Sequence, residues 1–279
     1  MVIDGESMAN GSRLANPARQ PLRYCLSGHS LPKYFMIRLD QALVERGLCE
    51  SRERAKRLIL AGQVRVNGQS ARKPSDSVRP ADDLCVETPE KFVSRGGYKL
   101  EHALEQFHLD VTGLTILDLG ASTGGFTDCV LQHGAAKVYA VDVGQGQLAW
   151  KLRNDPRVVV MEKTNARHLL PGHFPGPADL AVVDCSFISL QKILPPAVSL
   201  LSGSGKIVAL IKPQFEAGKA EVDKGRGVIT DDAIHQRVIR ELEEFVSAQA
   251  GLCWRAVVES PLLGPAGNKE FLVLIEKKR

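Results

Sequence analysis

The sequence predicts an α/β protein: a mostly parallel, seven-stranded sheet with helices on both faces, preceded by a small α+β unit. Three observations carry this prediction. From about Thr115, short runs rich in Val, Ile and Leu alternate with helix-length segments, as buried parallel strands and their crossover helices do. A glycine-rich turn, Gly120-Ala121-Ser122-Thr123-Gly124-Gly125, follows the first of those runs and leads into the first helix. Before residue 88 the texture differs, with two short helical patterns, an alternating strand and an Asn-Gly turn.

In chain order, residues 1–35 mix Gly, Ser, Asn, Pro and Arg without periodicity and read as a flexible extension. The folded body is expected to begin at Met36. Leu39, Ala42 and Leu43 stand at helical spacing, and Gly47 stops that helix. Ser51 is a candidate N-cap for a second helix, whose apolar face is Ala55, Leu58 and Ile59 and whose other sides carry Arg52, Arg54, Lys56 and Arg57. Val64-Arg65-Val66 alternates into Asn67-Gly68, a tight hairpin signal. From Arg38 to Asp83, ten Lys/Arg oppose seven Asp/Glu, so this unit has a basic helix face. In the second part, strands are predicted over 115–118, 136–141, 158–161, 180–183 and 206–211, with closing strands at 255–259 and 271–275. Helices are predicted over 126–132, 190–201 and 231–250, the last with Ile234, Val238, Leu242 and Phe245 on one stripe.

Composition narrows the function classes. With 44% hydrophobic and 24% charged residues, 25 Gly and 15 Pro, the chain is neither disordered throughout nor a collagen-like or coiled-coil rod. No apolar run approaches the roughly 18–20 residues that a spanning helix needs, so no membrane partner is expected. Residues 1–33 lack an apolar core for a secretory signal. The six cysteines contain no C-x-x-C pair, which points to a reducing compartment and to no metal site. The net charge of +4 is mild, so its distribution matters more than its total.

The glycine-rich turn lies where open α/β sheets bind nucleotides, although a plain strand–helix turn uses the same residues. Its Gly-x-x-x-Gly-Gly spacing differs from the dinucleotide fingerprint, and Asp142 ends the second strand where an acid accepts ribose hydroxyls. Together these favour an adenosine-containing ligand without a cradled pyrophosphate, which S-adenosylmethionine satisfies. Lys99, Asp184, Lys212 and Glu270 fall near predicted strand ends or just upstream of the sheet. Each alone is a typical solvated charge. Together they would bring two ammonium and two carboxylate groups beside the ligand. Two neighbouring lysines disfavour each other's charge, which would leave one as a neutral general base for an alcohol.

Four segments resemble the FtsJ-like, RrmJ-type ribose methyltransferases: Ser94-Arg95-Gly96-Gly97-Tyr98-Lys99-Leu100, the run from Leu117 to Phe126, Ile211-Lys212-Pro213, and Asn268-Lys269-Glu270-Phe271. Residues 36–88 resemble an S4 RNA-binding domain. This order of parts, with Asp184-Cys185-Ser186-Phe187-Ile188-Ser189 and Lys212-Pro213-Gln214-Phe215-Glu216, resembles the TlyA family of ribosomal RNA 2′-O-methyltransferases, also called haemolysin A.

The resemblance implies a Rossmann-like methyltransferase fold at 99–279, joined by a linker at 89–98 to an S4 domain at 36–88. It implies catalysis by Lys99, Asp184, Lys212 and Glu270, with Lys212 as base. Cofactor contacts would fall on Gly120, Ala121, Ser122, Gly124, Gly125, Phe126, Asp142 and Asn165, the last standing where an acidic adenine contact is often found. Arg38, Arg52, Lys56, Arg57 and Arg65 would grip phosphates of ribosomal RNA or ribosomal subunits, and Tyr98, Phe126, Phe187 and Phe215 are candidates to stack a splayed base. A cytoplasmic enzyme is the expectation; a membrane-active cytolysin and a catalytically inactive RNA-binding protein are the alternatives.

Overall fold

The computed structural model describes residues 36–87 and 90–278, which fall into two compact units divided at Pro89. The expected extension, 1–35, lies outside the described residues.

The first unit runs β1 (Ile37–Arg38), α1 (Leu39–Glu45), α2 (Arg52–Leu60), β2 (Val64–Val66), β3 (Gln69–Ser70), β4 (Ser77–Val78) and β5 (Leu84–Val86). No side chain caps α1; instead, the amides of Leu39 and Asp40 donate to the carbonyls of Asp76 (2.7 Å) and Pro74 (3.1 Å). The Ser51 hydroxyl caps α2 by accepting from the Arg54 amide at 3.3 Å. Asn67-Gly68 turns β2 into β3, with both residues at positive φ. Leu39, Ala42, Leu43, Ala55, Ile59, Val64, Val78 and Leu84 form the core of this unit.

The second unit runs α3 (Gly96–Gln106), β6 (Thr115–Leu119), α4 (Gly125–Gln132), β7 (Lys137–Val141), α5 (Trp150–Arg153), β8 (Val158–Met161), β9 (Ala178–Val183), α6 (Leu190–Ser199), β10 (Leu201–Ile211), α7 (Pro213–Glu216), α8 (Lys219–Lys224), α9 (Asp232–Ser247), β11 (Leu252–Glu259) and β12 (Phe271–Lys277). Its sheet has the order β11-β12-β10-β9-β6-β7-β8, and only β12 runs against the others. In β10, Ile207, Ala209 and Ile211 join one core with α6 and α9, while Val208 and Leu210 join another with α3 and α4. Both faces are buried, which is why the strands read as unbroken apolar runs. From β6 the chain steps outward to β7 and β8, then returns to lay β9 on β6's other side. In open α/β sheets, the carboxyl ends of the strands at such a switch point are where ligands bind.

Three expectations change. The stretch 89–98 is not a free linker: Phe92 is buried, the Val93 amide donates to Asp128 at 2.8 Å, and α3 begins at Gly96. Two glycines at its start concealed that helix, and packing explains them: a Cβ on Gly97 would lie 2.2 Å from the Phe92 ring. The predicted helix 190–201 stops at Ser199, and Leu201 already belongs to β10. On α9 the buried stripe is His235, Val238, Ile239, Leu242 and Val246, with Ile234 and Phe245 flanking it.

Candidate active site

Strand register brings the four charged positions to one edge. Asp184 follows β9 and Lys212 follows β10, its parallel neighbour; Ile211 pairs with Phe271 of antiparallel β12, which sets Lys212 opposite Glu270. Lys99 comes from α3, and its ammonium binds the Glu270 carboxylate. Lys99 and Glu270 are buried, 7% and 1% exposed. Lys212, 8% exposed, donates to the Ser186 hydroxyl at 2.9 Å, and its Nζ lies 2.5 Å from Asp184 Oδ1 as a charge contact outside hydrogen-bond geometry. Each lysine thus has its own carboxylate. The close contacts at this edge are lysine to carboxylate, in place of the lysine–lysine contact expected from the sequence.

Supports around this edge come from side chains that the motifs left unexplained. Glu216 accepts from the Ser189 hydroxyl (2.6 Å) and the Leu190 amide (2.8 Å), tying α7 to the start of α6. Asn268 is 1% exposed, accepts from the Ile229 amide and donates to the Gly227 carbonyl, both at 2.9 Å, and so anchors the turn before Glu270. Burial pushes the neighbouring Cys185 thiol up to about 12, so it is no thiolate nucleophile.

The glycine-rich turn has an internal logic. Gly120 has φ 91°, and a Cβ there would lie 2.6 Å from the Asp184 carbonyl oxygen, so only glycine lets β6 end against β9. The amides of Gly120 and Ala121 donate to Val141, that of Ser122 to Asp142 and that of Gly124 to Ala121. With these donors committed, the loop is not a phosphate cradle. Asp142 accepts from Ser122 N (2.8 Å) and Gly144 N (2.7 Å), one bond on each oxygen, which leaves lone pairs on both. Val143, next in the chain, is 70% exposed and was missed by sequence reasoning; an apolar residue directly after the strand-end acid was the available signal.

Several candidate contacts take other roles. Gly125 packs α4 on α3: a Cβ there would meet Ser94 Oγ at 2.2 Å and the Gly97 amide at 2.9 Å. Gly124 lies against Leu148 and Leu152. Phe126 is 3% exposed and its ring packs in the core with α3 and α4. Asn165 Oδ1 caps a 3-10 turn by accepting from Arg167 N at 3.0 Å, which leaves its Nδ2 uncommitted among the described residues. The Tyr98 hydroxyl donates to Glu90 at 2.8 Å and its ring lies edge-on to Phe92. Phe187 is 91% exposed at φ 61°, and its ring lies 5.0 Å from that of Phe215.

In the first unit, Arg38 and Arg52 are half exposed and share the buried Asp40. Lys56 is paired with Glu53 at 2.7 Å and Arg65 with Glu87, so neither is a free cation. Arg57 is exposed, as is Arg54, which lay outside the sequence candidates; neither has an acidic partner among the described residues. Among the described residues, no group of three or more His, Cys, Asp or Glu is placed to hold a metal, and no helix is long and apolar enough to cross a membrane.

Comparison with known proteins finds a match for each of the two units. Residues 92–277 match the FtsJ-like methyltransferase family, and residues 37–84 match the S4 domain. The 16S/23S rRNA (cytidine-2′-O)-methyltransferase TlyA of Mycobacterium tuberculosis is 49% identical over 242 residues, spanning 85% of this chain and 88% of that protein. Hemolysin A of Brachyspira hyodysenteriae is 42% identical over 238 residues, spanning 85% of this chain and 98% of that protein. A solved Streptococcus thermophilus structure, described as a candidate hemolysin, is 44% identical, covers 87% of this chain and 89% of its own, and superposes with a TM-score of 0.66. With an S4 unit preceding an FtsJ-like sheet whose carboxyl edge carries two lysine–carboxylate pairs, this chain belongs to the TlyA family of ribosomal RNA 2′-O-methyltransferases.

Proposed function

We propose that this protein methylates a ribose 2′-hydroxyl of ribosomal RNA in the cytoplasm, with S-adenosylmethionine as methyl donor and the S4 unit holding RNA phosphates. The observation that carries the reading is the gathering of Lys212–Asp184 and Lys99–Glu270 at the edge that also carries Asp142. The printed name of the mycobacterial relative makes a cytidine the proposed target.

The residues present fit the donor. Asp142 keeps lone pairs for ribose hydroxyls, Val143 offers an apolar face to a flat ring, and Asn165 Nδ2 supplies a polar contact. S-adenosylmethionine carries its methyl on a positively charged sulfur, which becomes a neutral thioether on transfer. The chain's task is then to align a weakly acidic hydroxyl and take its proton. Lys212, acting from its neutral form, accepts that proton at Nζ, and Asp184 orients the amine and offsets the charge it gains. Lys99 and Glu270 hold the hydroxyl side of the site. Phe187, with Phe215 beside it, offers a face on which a splayed base stacks. Arg38, Arg52 and Arg57 contribute sequence-independent phosphate contacts.

Purified protein incubated with S-adenosylmethionine and bacterial ribosomal RNA, followed by mapping of ribose methylation, tests the reading. A defined 2′-O-methyl site is expected. Methylation confined to bases, or none on RNA or subunits from either half of the ribosome, overturns it.

A further inference from the structure

Among the described residues of the first unit, Asp40 is the one carboxylate with no exposed side-chain surface, and it is held by two cations that are themselves exposed. Arg38 donates from Nε (3.0 Å) and Nη2 (3.1 Å) to its two oxygens, and Arg52 donates from Nη2 to Oδ2 at 3.0 Å. Side-chain exposure is 46% for Arg38, 51% for Arg52 and 0% for Asp40. The carboxylate is therefore covered while both guanidinium groups face solvent. Arg38 spends its side edge on Asp40, which leaves Nη1 and the second Nη2 proton without a partner among the described residues; Arg52 spends a single proton there.

The backbone holds this carboxylate in place. Asp40 sits in the first turn of α1, with its amide bonded to the Pro74 carbonyl, and Arg52 begins α2 directly after the Ser51 cap. One buried anion thus ties the starts of two helices and limits the rotamers of two long side chains. Unrestrained, each arginine would lose rotamer freedom on gripping a ligand. The Arg38 hydrogen bond foremost, with Arg52 adding to it, holds the Asp40 carboxyl down at about 2, so the anion persists at every physiological pH.

We propose that Asp40 is a positioning residue that fixes Arg38 and Arg52 as one preorganised two-guanidinium fork for the phosphate backbone of ribosomal RNA. The inference rests on the reading that the S4 unit grips RNA phosphates. It makes a prediction opposite in sign to simple charge counting. Asp40→Asn removes a negative charge from a basic surface, so a patch that works through net charge alone would bind RNA more tightly and with a steeper salt dependence. A fork that depends on Asp40 would bind more weakly, because freed guanidinium groups must be ordered again on binding.

The test measures the affinity of the full-length chain for purified bacterial ribosomal RNA across a salt series. Asp40→Asn is expected to weaken binding roughly tenfold, the scale of one charge-assisted contact, and to lower the log–log salt slope by about the 0.7–0.9 of one phosphate. In an Arg38→Ala/Arg52→Ala background the same substitution should have no further effect on affinity. Val78→Ala, a core truncation in the same unit, controls for lost stability and should leave affinity and slope within about twofold. Tighter or unchanged binding by Asp40→Asn, with the double arginine variant weakened, overturns the positioning role and leaves the phosphate reading standing. Unchanged binding by the double arginine variant overturns both. An equal loss in Val78→Ala assigns the effect to unfolding and also overturns the proposal.

Discussion

Asp118 is the penultimate residue of β6 and has no exposed surface. One of its oxygens accepts from Thr127 Oγ1 at 2.6 Å, and the other has no hydrogen-bond partner. Burial pushes its pKa up from 3.8 to about 7; Thr127's hydrogen bond opposes the rise, and the carboxylates of Asp184 and Asp142 add to it. The folded protein therefore holds this proton more tightly than the unfolded chain does. The proton-linked stability is fully present below about pH 4 and is lost as pH rises through about 7. Roughly 3 pK units correspond to about 4 kcal/mol over the whole window, of which about 2–3 kcal/mol falls between pH 5 and pH 8. Asp118→Asn keeps an acceptor for Thr127 and removes the titration. Any cost of the new amide donor is independent of pH, so the comparison is between slopes. Urea unfolding at pH 5, 6, 7 and 8 reads them, followed by Trp150 and Trp254 fluorescence, both tryptophans lying in this unit. The variant should gain about 2–3 kcal/mol on the parent from pH 5 to pH 8. Stability curves that stay parallel across that range would refute the reasoning and return Asp118 to an ordinary carboxylate.

Three further outcomes follow from the site. Asp142→Ala should weaken S-adenosylmethionine binding by about 1–3 kcal/mol in calorimetry, since a charged hydrogen-bond acceptor is lost and the Ser122 and Gly144 amides are released with it; unchanged affinity removes Asp142 from the site. Lys212→Arg should cut single-turnover methylation by about 10²–10⁴ with cofactor binding kept, because a guanidinium cannot accept the proton; near-native activity would make Lys212 a fixed positive charge instead of a base. Gly125→Ala should cost about 1–3 kcal/mol in thermal unfolding, because its Cβ meets the Gly97 amide at 2.9 Å, and it should also slow methylation by shifting the helix that carries Lys99; full stability and activity would show that the α3–α4 contact is slack.

Much of the fold was legible because the sheet is buried on both sides. Continuous runs such as Val208-Ala209-Leu210-Ile211 have no solvent face to interrupt them, and Asn67-Gly68 signals its turn through local backbone preference. Helix α3 was not legible, since its opening glycines answer a contact with Phe92 and Gly125 that exists only once the chain is packed. The same holds for Phe126: an aromatic residue after a glycine turn reads equally as a ligand platform or as core, and only packing assigned it to the core.

By itself the sequence determined the alternation of strand and helix, the glycine-rich turn followed by an acid at the next strand end, and the residue types that a proton-transfer site needs. These are local patterns, written in periodicity and spacing. Which charges meet was decided by tertiary structure: Lys99 and Glu270 are 171 positions apart, and Lys212 reaches Asp184 only because β10 pairs in register with β9. The same is true of Asp40, a polar position in a helical pattern that becomes a buried anchor for two arginines once α1 and α2 pack. A charge's partner depends on strand order and register, which are set by burying both faces of the sheet at once, so no window of neighbouring residues contains that information.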